Sequence, residues 1–149
     1  FGIRAMDSMR LEKSYRLIPR EMSIEYSAYE SGLDRFVRLD KEADFIGKNA
    51  LKEWQDRGAI NGFVTMEVLG VTDADARGSE AIYKDGMVVG RGTSGGYGWR
   101  CGKSLALGIV RKDLTAVGTE LEIEILGEKY KSIVIDESPF DPNNECLRS

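Results

Sequence analysis

The spacing of apolar residues changes near residue 58, from helical to alternating. Upstream of that point, the stretch IRAMDSMRLEKSY carries apolar residues three positions apart, which predicts a helix over residues 3 to 15 that Pro19 closes. A second helix is predicted in the stretch FIGKNALKEWQDRG, where Gly58 is typical of the position just past a helix end. Between the two helices, Ser27 begins a predicted single turn that Gly32 ends.

Apolar and polar residues alternate in several short runs downstream of Gly58, a pattern typical of half-buried strands. The runs are NGFVTMEVLG, EAIYKDGMVVGRGTSGG, SLALGIV and TELEIEILGEKYKSIVIDE. Asp85-Gly86 is a hairpin signal, and a second turn is predicted at Gly127-Glu128. Five or six strands joined by short turns predict a small antiparallel barrel or sandwich. A further short strand is predicted over residues 33 to 39.

The predicted fold class is α+β but mainly β, with a small antiparallel β-barrel preceded by a partly helical segment. The change in periodicity divides the chain into residues 1 to 58 and residues 59 to 149. The first residue is Phe1, and the helical pattern begins at once with no signal peptide before it. We therefore expect the chain to be a piece of a longer protein.

A glycine-rich stretch, GGYGWRCGKS at residues 95 to 104, contains the ingredients of a phosphate-binding loop. The Walker A motif requires a glycine five positions before its Gly-Lys-Ser, but that position is Tyr97. The apolar run that follows predicts a strand, whereas a phosphate loop opens a helix. We therefore expect no nucleotide at Lys103. We expect the glycines from Gly90 to Gly102 to form a bulge or a tight bend between barrel strands.

Composition and charge exclude several classes of function. The net charge of −4 and the pI near 5.0 argue against a nucleic-acid surface, which needs a basic face. With 42% hydrophobic and 31% charged residues, neither disorder nor a membrane span is expected. There is no histidine, so the commonest general base and most zinc sites are absent. Cys101 and Cys146 are interpreted as buried or idle thiols of a reducing compartment.

Several stretches, taken in order, resemble one protein family. RAMDSMRLEKSYR is similar to the helix that carries an Arg-Leu-Glu signature in the glycine cleavage T-protein (aminomethyltransferase) superfamily. SGLDRFVRLDKEADFIGKNAL resembles its next block, ARGSEAIYKDGMVVGRGTSGGYGWRCGKSLALGIV resembles its barrel segment, and SPFDPNN resembles its C-terminal ending. Within the superfamily, LEKSYR and TSGGYGWRCGKSLALG are closer to the folate-binding part of dimethylglycine and sarcosine dehydrogenases.

The resemblance implies that residues 1 to 58 end an aminomethyltransferase-type folate-binding domain and that residues 59 to 149 form its C-terminal β-barrel domain. In the dehydrogenases, a separate flavoprotein domain oxidises a methylated amine. The folate part then captures the one-carbon unit on tetrahydrofolate, giving 5,10-methylenetetrahydrofolate. No βαβ unit opened by a flavin-binding glycine motif is predicted here, so FAD would belong to an upstream domain of the parent protein. This fragment alone is expected to be inactive.

Three residues are candidate tetrahydrofolate-binding residues by this resemblance, and no catalytic residue or metal ligand is expected. Glu12 matches the carboxylate that holds the pterin, and two carboxylate oxygens suit the parallel N–H donors of a 2-amino-pyrimidinone edge. Tyr29 is expected to place an aromatic ring against the folate, with Tyr26 as an alternative. Arg77 matches an arginine before a barrel strand and would attract the glutamate tail or a carboxylate substrate. Alternatively, Glu12 is a solvent-facing helix residue paired with Arg16, and the others are ordinary packing or surface residues.

Three other functions remain open from the sequence. The parent protein could be an aminomethyltransferase, a flavin-independent folate-dependent demethylase, or a protein in which the barrel is a non-catalytic module. The expected partners are folate, a methylated amine substrate and upstream folate and flavin domains, with no nucleic acid and no membrane. The expected location is the cytoplasm, or the mitochondrial matrix in a eukaryote.

Overall fold

The structure, a computed structural model, describes residues 1 to 149 and is built around a closed antiparallel barrel of six strands. Around the barrel the order is β1-β4-β3-β2-β5-β6, and β1 closes it by pairing with both β4 and β6. The mainly β fold class predicted from the alternation is confirmed. The strands are β1 (Asn61–Val68), β2 (Ala81–Lys84), β3 (Met87–Gly98), β4 (Lys103–Arg111), β5 (Glu120–Ile125) and β6 (Glu128–Ile135).

Three helices lie outside the barrel: α1 (Ile3–Glu12), α2 (Lys48–Arg57) and α3 (Glu145–Arg148). The second helix has the predicted position, and Gly58 follows it with φ +81°. The first helix is shorter than predicted. It ends at Glu12 because Ser14 takes a positive φ of 53° and its buried hydroxyl bonds to the Thr65 hydroxyl at 2.8 Å. The chain thus turns toward the barrel well before Pro19.

The strand predicted over residues 33 to 39 is wrong. That stretch contains one turn of 3-10 helix, Asp34–Phe36, and no strand. The six barrel strands all lie beyond residue 60 and pair with one another in a closed ring, so no free sheet edge remains for an earlier segment to join.

The core lies inside the barrel, where alternate side chains of each strand meet. In β5, Leu121, Ile123 and Ile125 are buried as the alternation predicts. The uninterrupted apolar run of β4 has a different cause, because both of its faces are covered. Ala106 and Val110 belong to the barrel core, whereas the outward-facing Leu105 and Leu107 pack with Leu11 of α1. This contact fixes α1 against β4.

The glycine-rich stretch is a strand, not a bend. β3 runs through Gly98, and its pairing with β4 shifts register between Gly92 and Ser94, so the predicted bulge exists but the bend starts only at Trp99. The glycines permit close backbone approach. A Cβ on Gly90 would lie against the Ile109 carbonyl oxygen and 2.7 Å from Cα of Val110.

Both hairpin turns use residues of positive φ. Asp85 and Gly86 have φ values of 51° and 77°, which confirms the first turn. The second turn is at Leu126 and Gly127, with φ values of 53° and 88°, one residue earlier than predicted. No helix in the chain combines the length and apolarity that crossing a bilayer requires.

Candidate functional site

Glu12 is the last residue of α1, and its side chain is buried where α1 meets the β3–β4 turn. Only 2% of the residue is exposed. Its Oε1 accepts hydrogen bonds from the backbone N–H of Arg100 at 2.5 Å and of Cys101 at 3.1 Å. The alternative of a solvent-facing glutamate is therefore wrong, as is its pairing with Arg16, whose guanidinium instead bonds Glu137 at 2.8 and 2.9 Å.

Gly98 makes room for this carboxylate. A Cβ at that position would lie 3.1 Å from Cγ of Glu12 and 2.9 Å from Cδ1 of Leu105. Because the last residue of β3 has no side chain, the following turn can wrap its N–H groups around Oε1. The sequence contains these glycines, but nothing local shows that they serve a glutamate 86 positions upstream.

The second carboxylate oxygen of Glu12 is free of N–H and O–H donors from the chain. The thiol of Cys101 lies beside the carboxylate, and burial, the Glu12 charge and a hydrogen bond to the Glu12 carboxylate raise the pKa of Cys101. The site thus presents a buried carboxylate whose Oε1 is held by two backbone N–H groups and whose Oε2 accepts no N–H or O–H donor of the chain.

Arg77 lies in the loop of residues 69 to 80 that connects β1 to β2. Glu80 holds this loop, because its two oxygens accept the backbone N–H of Arg77 at 2.6 Å and of Gly78 at 2.8 Å. The Arg77 side chain is exposed and has no hydrogen-bond or ion-pair partner in the chain. It lines a cleft that Leu11, the neighbour of Glu12, also lines. Arg77 and the end of α1 thus belong to one region.

Tyr29 lies elsewhere. It is half-buried in a cleft beside α2, together with Trp54 and Lys112, and this cleft is lined by neither Glu12 nor Arg77. Tyr26, its alternative, is half-buried under the Arg91 guanidinium, 5.5 Å from the ring centroid. Burial raises the pKa of Tyr26, and Arg91 opposes that shift. The structure does not bring either tyrosine to the Glu12 carboxylate.

The nucleotide motifs have the wrong structural context. Lys103 begins β4, and its ammonium group pairs with Oε2 of Glu67 at 2.6 Å. Gly90, Gly92 and Gly95 match the spacing Gly-x-Gly-x-x-Gly, yet all three lie inside the continuous strand β3 with no helix after it. Neither a Walker loop nor a dinucleotide-binding turn is therefore formed.

Sequence reasoning missed Glu21, which is fully buried. Its Oε1 accepts the hydroxyls of Thr93 and Ser94, both at 2.6 Å, and its Oε2 accepts the N–H of Leu17 at 2.8 Å. Arg10 lies 3.7 Å away and also bonds the Ser94 hydroxyl at 2.8 Å. This network ties the segment after α1 to the bulge of β3. A glutamate in a polar stretch gave no sequence signal of such burial.

The cysteines and the acidic side chains form neither a disulfide nor a metal site. Both cysteines are free thiols, but Cys101 is half-buried and Cys146 is exposed, so neither is buried as one interpretation held. No group of three or more Cys, Asp or Glu side chains is arranged to hold a metal ion.

The fold and the contact between Glu12 and the β3–β4 turn define a class of protein. It is a closed antiparallel barrel to which the end of a preceding helical segment is hydrogen-bonded. Residues 61 to 141 match the family described as the glycine cleavage T-protein C-terminal barrel domain. Residues 1 to 41 match the GCVT N-terminal domain. The chain belongs to the glycine cleavage T-protein family.

Individual relatives agree with this membership. Mitochondrial dimethylglycine dehydrogenase from Homo sapiens is 42% identical over 137 residues, which are 92% of this chain and 16% of that protein. An aminomethyltransferase from Bacillus cytotoxicus is 33% identical over 139 residues, 93% of this chain and 37% of that protein. The crystal structure of glycine cleavage system aminomethyltransferase T from Bartonella henselae superposes with a TM-score of 0.86 at 25% identity, covering 95% of this chain and 39% of that one. The chain thus spans well under half the length of these relatives.

Proposed function

We propose that the chain is the C-terminal part of a folate-dependent one-carbon enzyme of the dimethylglycine and sarcosine dehydrogenase type. In that role it helps to pass a methyl-derived one-carbon unit to tetrahydrofolate, giving 5,10-methylenetetrahydrofolate. The higher identity to the dehydrogenase than to the aminomethyltransferase, 42% against 33%, supports this choice. FAD and the methylated amine belong to other domains of the parent protein, residues 1 to 58 complete its folate domain, and residues 59 to 149 are its barrel domain.

The carboxylate of Glu12 is the observation that carries the proposal. Two backbone N–H groups hold Oε1 in place and compensate part of its charge, so the position of Oε2 is defined before any ligand arrives. Oε2 is then available to accept from an N–H donor of the pterin. Because Oε1 already has two donors, we propose one strong charge-assisted bond through Oε2 in place of the two-pronged contact expected from the sequence.

The other two candidate residues, Arg77 and Tyr29, lie at different distances from the end of α1 and so support the proposal unequally. Arg77 offers an unpartnered guanidinium near the end of α1, suited to a carboxylate of the folate or of the substrate. Tyr29 occupies a cleft beside α2, so its role requires the ligand or a neighbouring domain to reach that side of the molecule.

The parent protein is proposed to work in the cytoplasm or in the mitochondrial matrix. The human relative is a mitochondrial enzyme.

The test is a calorimetric titration of the chain with tetrahydrofolate, using Glu12→Gln and the matched control Glu53→Gln on the exposed face of α2. Glutamine keeps an acceptor for the turn but places an amide donor where Oε2 stood. Loss of one charge-assisted bond, about 1.5 to 3 kcal/mol, is expected to weaken binding about ten- to 150-fold. Equal affinity in all three proteins would refute the role of Glu12.

In the parent protein the same substitution has a second expected result. Amine oxidation continues, but the carbon leaves as formaldehyde and less methylenetetrahydrofolate forms.

An aminomethyltransferase is the second candidate, favoured by the TM-score of 0.86 to such an enzyme. Folate-dependent transfer without any amine oxidation in the parent protein would select it, and a parent protein that binds no folate would make the barrel a non-catalytic module.

A further inference from the structure

The C-terminal segment, residues 136 to 144, follows β6 and returns to the end of α1. Its backbone supplies a partner for the last residue of that helix, because the Phe140 N–H donates to the Glu12 carbonyl at 3.1 Å. The Ser138 hydroxyl donates to the carbonyl of the next residue, Lys13, at 3.0 Å. The final carbonyls of a helix have no donor within the helix. The C-terminal segment therefore caps α1 from the opposite end of the chain.

Two further contacts attach the C-terminal segment to the residues that follow α1. The Lys13 ammonium donates to the Asp141 carbonyl at 2.5 Å and to the side-chain oxygen of Asn144 at 2.8 Å. The Ser138 N–H donates to the hydroxyl of Ser14, a fully buried residue, at 3.1 Å. These contacts fix the segment against the helix end, so the aromatic side chain at its centre has a defined place.

The Phe140 side chain extends this contact to the β3–β4 turn. Phe140 is half-buried, and the guanidinium carbon of Arg100 lies 5.5 Å from its ring centroid, within the range of a cation–π contact. Arg100 is also the residue whose backbone N–H donates to Oε1 of Glu12 at 2.5 Å. Phe140, Arg100 and Glu12 thus form a closed ring of three contacts, which includes both the main-chain carbonyl and the carboxylate of Glu12.

The β3–β4 turn is the part of this ring that the sheet does not fix. Residues 99 to 102 connect β3 to β4 and lie outside the strand pairing. One backbone bond closes the turn, from the Gly102 N–H to the Gly98 carbonyl at 2.8 Å, and the Arg100 side chain is exposed. The sheet thus holds the donors of Oε1 only through the ends of the turn, and Phe140 links the turn to the fixed end of α1.

We propose that Phe140 is a positioning residue for the Glu12 carboxylate. It packs against Arg100 while its N–H caps α1, and so it sets the distance between Oε1 and the two N–H groups of the turn. That distance in turn determines where Oε2 lies. The consequence for folate rests on the proposed function, whereas the effect on the carboxylate can be measured without any ligand.

Hydrogen exchange of the Arg100 and Cys101 amides, read by NMR in the full chain, measures whether Oε1 is in place. Phe140→Leu keeps the N–H and the apolar bulk but removes the aromatic face. We expect it to lower the protection factors of both amides about two- to fivefold, the size of an exposed cation–π contact, while the amides of β4 keep theirs. Phe140→Tyr keeps the ring and should restore the protection.

The matched control is Phe36→Leu. Phe36 also lies under an arginine, with the Arg35 guanidinium carbon 4.8 Å from its ring centroid, but it belongs to an exposed 3-10 turn. This variant should leave the amides of the β3–β4 turn unchanged. If Phe140→Leu loosens the whole segment, Arg100→Gln tests the same contact from the other side and should give the same loss of protection. Unchanged protection in both variants, or an equal loss in β4, overturns the proposal.

Tetrahydrofolate affinity separates this proposal from the proposed function. If Phe140 acts through Glu12, Phe140→Leu weakens binding about two- to fivefold in the unmodified chain but not in the Glu12→Gln background, since effects on one shared contact are not additive. An equal further loss in that background overturns the proposal. Loss of protection in Phe140→Leu with no tetrahydrofolate binding by any variant keeps the positioning role and refutes the folate function. Binding that depends on Glu12 but not on Phe140, with unchanged protection, keeps the folate function and overturns the positioning role.

Discussion

Oε1 of Glu12 lies 2.5 Å from the backbone nitrogen of Arg100, across a sequence separation of 88 residues. The contact joins the end of α1 to the turn between β3 and β4. The glutamate that the family resemblance assigns to folate therefore also stabilises the packing of α1 on the barrel. A substitution at Glu12 therefore has two consequences, one for stability and one for ligand binding, and experiments must separate them.

Glu12→Ala and Glu12→Gln are expected to differ in stability. Alanine leaves the N–H groups of Arg100 and Cys101 without their acceptor, which costs about 1 to 3 kcal/mol, because water reaches this turn only in part. Glutamine keeps a carbonyl oxygen for both donors and should lose less than about 1 kcal/mol. Urea unfolding measures the free energy of unfolding of both variants. Equal decreases for the two would contradict a stabilising role of the hydrogen bonds from Arg100 and Cys101 to Glu12.

The reactivity of Cys101 is expected to report on the Glu12 charge. Burial is the main reason that the pKa of Cys101 is raised, and the neighbouring carboxylate raises it further. Less thiolate is then present at pH 8 than for an ordinary cysteine. Glu12→Gln removes the charge, lowers the pKa of Cys101 and should speed its alkylation at pH 8. The measurement is the iodoacetamide rate against pH in a Cys146→Ser background, and identical profiles with and without Glu12 would show that the two groups do not interact.

Glu21→Ala is expected to loosen the segment after α1 from the barrel. The change leaves the hydroxyls of Thr93 and Ser94 without their acceptor and Arg10 without its buried partner, at a cost of about 3 kcal/mol. Trypsin should then cut within the exposed segment at Arg20 faster than in the parent chain, while the barrel resists. Glu53→Ala, on the surface of α2, is the control, and unchanged cleavage and thermal midpoint for Glu21→Ala would contradict the network.

Lys103 is expected to contribute to the barrel and not to a phosphate site. Its ammonium is half-exposed and paired with Glu67 on the neighbouring strand, so Lys103→Ala should lower stability by less than about 1 kcal/mol. ATP and GTP should show no calorimetric heat of binding with either protein. Micromolar nucleotide binding that disappears in Lys103→Ala would mean that the register argument against the Walker motif was wrong.

Much of the fold could be predicted because its causes are local. The apolar face of α2 and the glycine at its end define that helix within about fourteen residues, and Asp85-Gly86 defines a hairpin within four. The alternation of Leu121, Ile123 and Ile125 reflects one face of a strand turned to a core, whatever its partner is. Periodicity of this kind depends on neighbouring residues alone, so the amino-acid sequence determined the elements and the mainly β class by itself.

Contacts between distant parts of the chain decided the rest. Residues 33 to 39 have strand-like character, but a ring closed by β1 and β6 offers them no edge. Gly98 looks like a turn residue in the sequence, yet it lies in a strand and is small because the Glu12 side chain occupies the space beside it. Glu21 is polar in an exposed-looking segment but is buried by hydroxyls more than 70 positions away. The sequence alone determined which elements form, because periodicity is local, and only the tertiary structure decided which side chains share a site, because it places residues from opposite ends of the chain side by side.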